Sequence, residues 1–184
     1  MPDKSKVSVG KPKVGGAIYR APIGTTLPTD ATTTLATAFK ELGYASEDGV
    51  VFSNEVEGHK AWGGDTVLSE VTETAKFKLI EVMNEDVLKT VYGEDNVSGA
   101  LATGLTVARS LAAAPTSYVW VIETLMQGGV MKRIVIPSAS VTELGDITYK
   151  DNELLGYEVT LESVADSAGN GHYEYIKAPA VPEG

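Results

Sequence analysis

The chain has 184 residues, of which 43% are hydrophobic and 22% are charged, and it contains no cysteine. These numbers exclude a wholly disordered chain, a disulfide framework and any metal or catalytic site built from thiolates. No apolar run approaches the roughly 20 residues that a membrane-spanning helix requires, and the length suits one domain with a hydrophobic core.

Charge is distributed unevenly along the chain. The net charge is −10, but residues 1–20 carry +4, so the remaining residues carry −14. An acidic body does not present the clustered surface cations that nucleic-acid binding requires. We predict a basic N-terminal arm over residues 1–16, a β-domain over residues 17–178 and a short C-terminal tail over residues 179–184. The arm is either a solvated terminus or reaches an acidic patch, for example on a second copy of the chain.

Residues 21–38 read APIGTTLPTDATTTLATA, with seven threonines and two prolines. This composition predicts an extended loop rather than a helix. It is also typical of a segment that stays extended until a neighbouring molecule orders it.

Residues 67–82, VLSEVTETAKFKLIEV, alternate between apolar and polar side chains. A period of two predicts a strand with one buried face and one wet face. The segment is longer than the usual strand of about 5–6 residues, so we expect a bend or a bulge. The wet face contains Glu70, Thr72, Thr74, Lys76 and Lys78.

Residues 84–92 form the one clear predicted helix. Asn84 suits the N-cap, Glu85 and Asp86 suit the positive end of the helix dipole, and Gly93 suits the position after the last turn. The apolar side chains between them share one face, which we expect to pack against a sheet.

The C-terminal half predicts antiparallel strands at residues 105–110, 117–125, 130–137, 141–150, 155–164 and 173–177, with a hairpin turn at residues 126–129. The fold class predicted is therefore mainly β: a β-sandwich or partial barrel with one flanking α-helix, an extended N-terminal arm and a long loop.

The segment EGHKAWGGD, residues 57–65, holds one of the two histidines and one of the two tryptophans. It contains no HxH or HExxH spacing, and His172 lies far away in sequence, so no metal site with converging ligands is expected. No nucleophile elbow, P-loop or dinucleotide-binding motif occurs in the chain. We interpret the segment as a structural corner: His59 and Lys60 end a strand, Gly63-Gly64 form a turn and Val67 begins the next strand, with Trp62 in the core or at an interface. We predict no catalytic residue, no cofactor and no metal.

Five pieces of the sequence, taken in order, resemble the major tail tube protein of long-tailed (siphovirus-type) bacteriophages. They are GAIYRAPIGTTLPTDAT, LGYASEDGV, KAWGGD, LIEVMNEDVLKTVYG and YEVTLESVADSAGNGHYEY. Together they run from Gly16 to Tyr175. Each piece alone is weak, but their order and spacing are specific.

The resemblance implies a structural virion protein rather than an enzyme. Hexameric rings of such a protein stack into a hollow tube, and genomic DNA passes through the lumen without specific binding. The implied partners are other copies of the chain and the tape measure, tail-tip and tail-terminator proteins, with no membrane. The implied location is the virion tail, and the host cytoplasm before assembly.

Two sets of residues follow as hypotheses about the tube. The wet faces of the long strands would line the lumen: Glu70, Thr72, Thr74, Glu158, Thr160 and Glu162. Alternation identifies a wet face without saying whether it lies inside or outside the tube, and Lys76 and Lys78 count against a purely acidic lumen. Contacts between rings would come from the basic arm and the proline loop: Lys4, Lys6, Lys11, Lys13, Pro22, Thr25, Thr26, Leu27 and Pro28.

Three other classes stay open at this point. The tube protein of a contractile tail or of a related secretion system shares the fold and the ring, and only the long Thr/Pro loop favours the non-contractile type. A monomeric β-sandwich binding module would usually carry clustered aromatic residues, whereas aromatics make up only 7% of this chain. An enzyme finds no support in the motif search.

Overall fold

Antiparallel strands dominate this computed structural model, which describes residues 8, 10–12, 18–60, 66–112 and 114–180. Side chains are described for all of these except Pro12, residues 57–60 and residues 66–70. Within this part of the chain, no helix is long and apolar enough to span a membrane.

The described residues contain eleven strands and one α-helix. The first strands are β1 (Lys11–Pro12), β2 (Ile18–Pro22), β3 (Lys40–Glu41), β4 (Ala45–Lys60) and β5 (Thr66–Leu79). The helix α1 (Glu85–Tyr92) and strands β6 (Val97–Ala100) and β7 (Gly104–Val107) follow. The last strands are β8 (Ser117–Leu125), β9 (Met131–Leu144), β10 (Tyr157–Ser163) and β11 (Tyr173–Lys177).

Nine of these strands form one antiparallel sheet. Its order is β3-β2-β8-β9-β10-β5-β4, with β1 also paired to β8 and β11 also paired to β9. The sheet is not closed into a barrel, so β3 and β4 remain its two ends. Strands β6 and β7 form a separate two-stranded ribbon.

The sheet folds over on itself to form a sandwich. The rings of Phe77 on β5 and Trp120 on β8 are 6.0 Å apart, although β10 and β9 lie between these strands in the sheet. In a flat sheet the two strands would be about 14 Å apart, three strand spacings. One layer therefore holds β2 and β8, the other holds β4, β5 and β10, and β9 passes from one layer to the other.

The bend in β9 lies at Pro137. Ile136 pairs with Trp120, but the next partners are Ala139 and Tyr118, so the register shifts between them. Proline has no N–H to donate to the sheet, and an extra residue in one strand bends it. Because β10 pairs with β9 only from Ala139 onwards, the bend falls where β9 leaves the first layer.

The main core lies between the two layers and under α1. Trp120 is fully buried, and its indole nitrogen donates to the carbonyl of Ala139 at 3.0 Å. The other fully or almost fully buried members include Ile18, Leu42, Ala75, Phe77, Leu79, Val87, Ile122, Ile136, Val159 and Leu161.

The helix begins and ends as its residue types dictate. The Asn84 side chain accepts a hydrogen bond from the Asp86 amide at 3.0 Å, and Gly93 closes the last turn with a φ of 100°. Val87 and Leu88 are buried against the sheet. Arg20, itself buried, lies over the ring of Tyr118 and forms an ion pair with Glu94 just after the helix, at 2.7 Å.

Most predicted elements are confirmed. The strands at residues 117–125 and 173–177 and the helix occur as expected, and the predicted strand at 67–82 is β5, which ends at Leu79. The prediction of separate strands at 130–137 and 141–150 is wrong, because β9 is continuous through Pro137 and ends at Leu144. The strands at 105–110 and 155–164 are shorter than predicted.

Only the end of strand β4, at His59 and Lys60, was predicted. Its register shifts between Ala45 and Val50, where Gly49 has a φ of 73°. This irregularity, in a stretch rich in Glu, Asp, Ser and Asn, interrupts the alternation by which a strand is recognised in a sequence.

Candidate functional site

The two strand segments predicted to line a lumen lie side by side on one face of the sheet. In the pairing of β10 with β5, Glu158 faces Lys78, Thr160 faces Lys76 and Glu162 faces Thr74. Direct partners in an antiparallel pair point to the same side of the sheet. The buried residues between them, such as Phe77 and Val159, point into the core.

This polar face extends onto both neighbouring strands. Thr74 pairs with Ser53 on β4 and Thr72 pairs with Glu55, while Thr160 also pairs with Glu143 on β9. Glu70 pairs with Glu57 in the backbone register, and their side chains lie outside the described part of the chain. We call the described set Ser53, Glu55, Thr72, Thr74, Lys76, Lys78, Glu143, Glu158, Thr160 and Glu162 the polar face.

Hydrogen bonds and an ion pair connect side chains of the polar face. The Lys76 ammonium lies 2.8 Å from a carboxylate oxygen of Glu158, and the Thr160 hydroxyl donates to Glu143 at 3.2 Å. The hydrogen bond and charge of Glu158 raise the pKa of Lys76 above its ordinary value, and the charge of Glu143 adds to the effect. The Lys78 ammonium donates to the Leu154 carbonyl at 3.3 Å.

Past the end of β10, β4 and β5 continue as a two-stranded arm that includes Glu55 and Thr72 of the polar face. Strand β10 pairs with β5 only from Thr74 to Leu79, so residues 66–73 of β5 pair with β4 alone. Val56 and Val71 face each other there and are 61% and 57% exposed. An isolated two-stranded hairpin is at best marginally stable in water, so these features are typical of a segment that packs on a partner. We call residues 55–60 and 66–72 the β4–β5 arm.

The sequence contained one signal for this arm. Gly63-Gly64 was interpreted as a turn before the strand at Val67, and EGHKAWGGD indeed spans the end of β4 and the segment before β5. His59 and Lys60 are in β4, whereas Trp62 lies outside the described residues. The described residues of this segment, 57–60, therefore belong to the β4–β5 arm.

The described part of the N-terminal arm runs beside the end of β8. Lys11 is exposed and pairs with Leu125, and the amide of Gln127 donates to the Ser8 hydroxyl at 2.8 Å. Lys4, Lys6 and Lys13 lie outside the described residues. Lys11 thus lies next to the β8–β9 turn, on the outside of the sandwich.

The proline loop has an exposed half and a docked half. Pro22 and Thr26 are exposed, Ile23 is 54% exposed, and the Thr25 hydroxyl donates to the Pro22 carbonyl at 2.7 Å. Leu27 and Pro28 are half-buried. From there to Phe39 the loop packs over the outer face of β2, β8 and β9, where the buried residues are Ala21, Ala31, Phe39, Val119, Val121 and Val135.

A buried ion pair holds the docked half of the proline loop against the sheet. Arg133 and Glu123 are cross-strand partners, with 2% and 1% of their surface exposed, and the Arg133 Nε donates to Glu123 at 2.9 Å. Another nitrogen of Arg133 donates to the Asp30 carbonyl at 2.9 Å. Contrary to the composition-based expectation, much of the Thr-rich segment is therefore ordered against its own sheet.

The remaining candidate for chemistry is His172. Its Nδ1 lies 2.8 Å from Glu73 and its Nε2 lies 3.8 Å from Glu174, while its ring contacts Phe52. This group connects the loop before β11 to the base of the β4–β5 arm. No cluster of three or more His, Cys, Asp or Glu residues in the described part of the chain is arranged to hold a metal ion.

One comparison with known proteins finds a matching family. A model of one protein family, described as phage tail tube protein, matches residues 8–183 of the chain. No curated protein matches the chain. The matched range includes all of the residues that carried the resemblance noted in the sequence, which is thereby confirmed at the level of the family.

Proposed function

The chain belongs to the phage tail tube protein family, and from this premise we propose that it assembles into hexameric rings that stack into the hollow tail tube of a long-tailed phage. Its place is the virion tail, and its role there is structural. DNA leaving the capsid passes through the lumen without being bound. The polar face is the observation that supports the assignment of a lumen through which DNA passes.

The polar face has the properties that the inner wall of a DNA conduit needs. Its described side chains include Glu55, Glu143, Glu158 and Glu162 against two lysines. Duplex DNA carries one negative charge per about 1.7 Å of its axis. A wall of the same sign repels DNA weakly and so prevents it from sticking. The other layer is unsuited to this role, since residues 27–39 cover its outer face.

Ring closure would use the open end of the sheet. Within the described residues, β4 pairs on one side only, so up to sixteen residues of strand edge remain available. Long unprotected strand edges readily pair with other chains. Pairing this edge with the sheet of the next subunit, repeated around a ring, would continue the sheet and leave no free edge.

Contacts between rings would use the segments that extend from the sandwich. We assign them to Lys4, Lys6, Lys11 and Lys13 of the N-terminal arm and to Pro22, Thr25, Thr26, Leu27 and Pro28 of the proline loop. The β4–β5 arm, with its exposed valine pair, joins them. At its ends the tube would meet the tape measure, tail-tip and tail-terminator proteins, after assembly from subunits in the host cytoplasm.

Labelling of single cysteines tests the lumen assignment, because the chain has no cysteine of its own. Glu162→Cys places a thiol on the polar face, and Leu111→Cys places one on a loop residue that is 94% exposed. Free subunits and assembled tubes are treated with a small maleimide and with a maleimide coupled to a protein wider than a DNA duplex.

For Glu162→Cys tubes we expect labelling by the small reagent and none by the large one, whereas free subunits react with both. Leu111→Cys should react with both reagents in tubes if that loop lies outside, and it then serves as the control. Equal reaction of residue 162 with the large reagent in tubes and in free subunits would place the polar face on the exterior and contradict the proposal.

A further inference from the structure

Two lysines interrupt the acidic polar face. On β5, Lys76 lies opposite Thr160 of β10 and Lys78 lies opposite Glu158. A lysine on the wall of a DNA conduit would bind phosphate and release counterions, and each such contact strengthens retention. Their presence therefore calls for a physical explanation if the face lines a lumen.

Both ammonium groups already have acceptors within the same subunit. Lys76 is in contact with Glu158, and Glu143 on the next strand adds a second negative charge to its surroundings. Lys78 is half-buried and donates to a backbone carbonyl of the 145–156 loop. By contrast, Glu55 and Glu162 form no ion pair with another described residue, so their charges are not offset.

We propose that Glu158, supported by Glu143, neutralises Lys76 so that this lysine offers no free cation to DNA in the lumen. This inference rests on the proposed function, because it takes the polar face to be the inner wall. An exposed ion pair contributes little to stability, but stability is not its role here. A phosphate that approached Lys76 would also approach Glu158, and the two opposite charges nearly cancel at that distance.

Repetition along the tube makes a small local effect measurable. Each subunit presents one Lys76–Glu158 pair, and stacked rings repeat the pair along the whole path of the DNA. Unpairing Lys76 would add one free cation per subunit. In a plot of the logarithm of the DNA affinity against the logarithm of the salt concentration, each neutralised phosphate adds about −0.9 to the slope. Several new contacts along one duplex therefore add up to a steeper salt dependence.

The test compares E158Q tubes with E162Q tubes, because both substitutions remove one negative charge from the same face. A short fluorescent DNA duplex is mixed with assembled tubes, and its affinity is measured as a function of salt concentration. We expect E158Q tubes to retain DNA about tenfold more tightly than wild-type tubes at low salt, with a steeper salt dependence. E162Q tubes should stay within about twofold of wild type, since they free no lysine.

Two further variants isolate the role of the lysine. The double variant K76Q/E158Q should return to wild-type retention. K76Q alone should leave retention within about twofold of wild type, because the lysine is already neutralised. K76Q also keeps the proposal testable if E158Q subunits fail to assemble, since a clear loss of retention in K76Q would mean that Lys76 binds DNA in the wild-type tube.

Equal retention by E158Q and E162Q tubes would overturn the inference, because bulk charge would then explain any change. If the cysteine labelling places residue 162 inside the tube, equal retention by the two variants would still leave the proposed function intact. A nuclease too wide for the lumen separates the two claims further. DNA that binds E158Q tubes tightly but stays open to this nuclease would lie outside the tube and overturn both.

Discussion

Arg133 illustrates how single residues hold the proline loop in place. Its guanidinium is buried between Glu123, its partner across the strands, and the backbone carbonyl of Asp30. A buried charge is tolerated only when it is paired and hydrogen-bonded. The neighbouring Lys177 ammonium also donates to the Thr32 hydroxyl at 3.1 Å. The loop is therefore attached by polar contacts as well as by Phe39 and Ala31.

Replacing only Arg133 of the buried ion pair should lower the free energy of unfolding much more than replacing both Arg133 and Glu123 with apolar residues. We expect Arg133→Met to lower the free energy of unfolding by about 3–5 kcal/mol, because the Glu123 carboxylate stays buried without its cation. The double variant Glu123→Leu/Arg133→Met should recover most of that loss. Urea unfolding of the two variants measures the difference. Equal losses would mean that the pair is not coupled in this way.

At the level of elements, the sequence predicted the parts with a regular pattern. Strand β5 and helix α1 were found because alternation and capping residues are local properties. The docking of the proline loop could not be found, because it depends on Arg133, about a hundred residues further along the chain. The course of β4 was missed because Gly49 and the polar residues around it interrupt the alternation, so the pairing of β4 with β5 in the arm could not be predicted.

For the polar face too, the sequence reveals the pattern within each strand but not the contacts between strands. The wet positions of β5 and β10 were recognised separately, each from alternation within its own strand. Only the register shows that Glu158 lies opposite Lys78 and beside Lys76. The lysines were interpreted as evidence against an acidic wall, since a sequence does not reveal which carboxylate lies next to which ammonium.

The β4–β5 arm should be dispensable for folding and required for assembly. Asn54 and Glu73 are direct partners, so residues 55–72 can be replaced by Asn-Gly, which favours a two-residue hairpin turn. The core contains no described residue of the arm. We expect the free energy of unfolding to change by less than about 1 kcal/mol, because little apolar surface leaves the core.

Tube formation by this shortened variant should be lost, as seen by electron microscopy. A control introduces the same Asn-Gly turn sequence between β8 and β9 by the single substitution Gln127→Asn, which leaves the arm intact and should preserve assembly. Normal tubes from the shortened variant would exclude the arm from contacts between subunits. A large loss of stability would show instead that the arm belongs to the folding unit.

The two layers of the molecule have different outer surfaces, which suits a subunit in the wall of a tube. One layer carries the uncovered polar face, and the other layer is covered on its outside by residues 27–39. The sheet also ends in the long free edge of β4. A subunit with one wet acidic face and an open strand edge can form a ring with that face inside, and head-to-tail contacts that close give such rings.

The most direct measurement is a cryo-electron microscopy reconstruction of tubes formed by the purified protein, alone or on isolated tail tips. We predict hollow tubes of six-fold rings in which β4, β5 and β10 form the inner wall and Glu162 faces the lumen. Tubes with β5 and β10 on the outer surface would contradict the account. So would a protein that stays monomeric at high concentration and also fails to polymerise on tail tips.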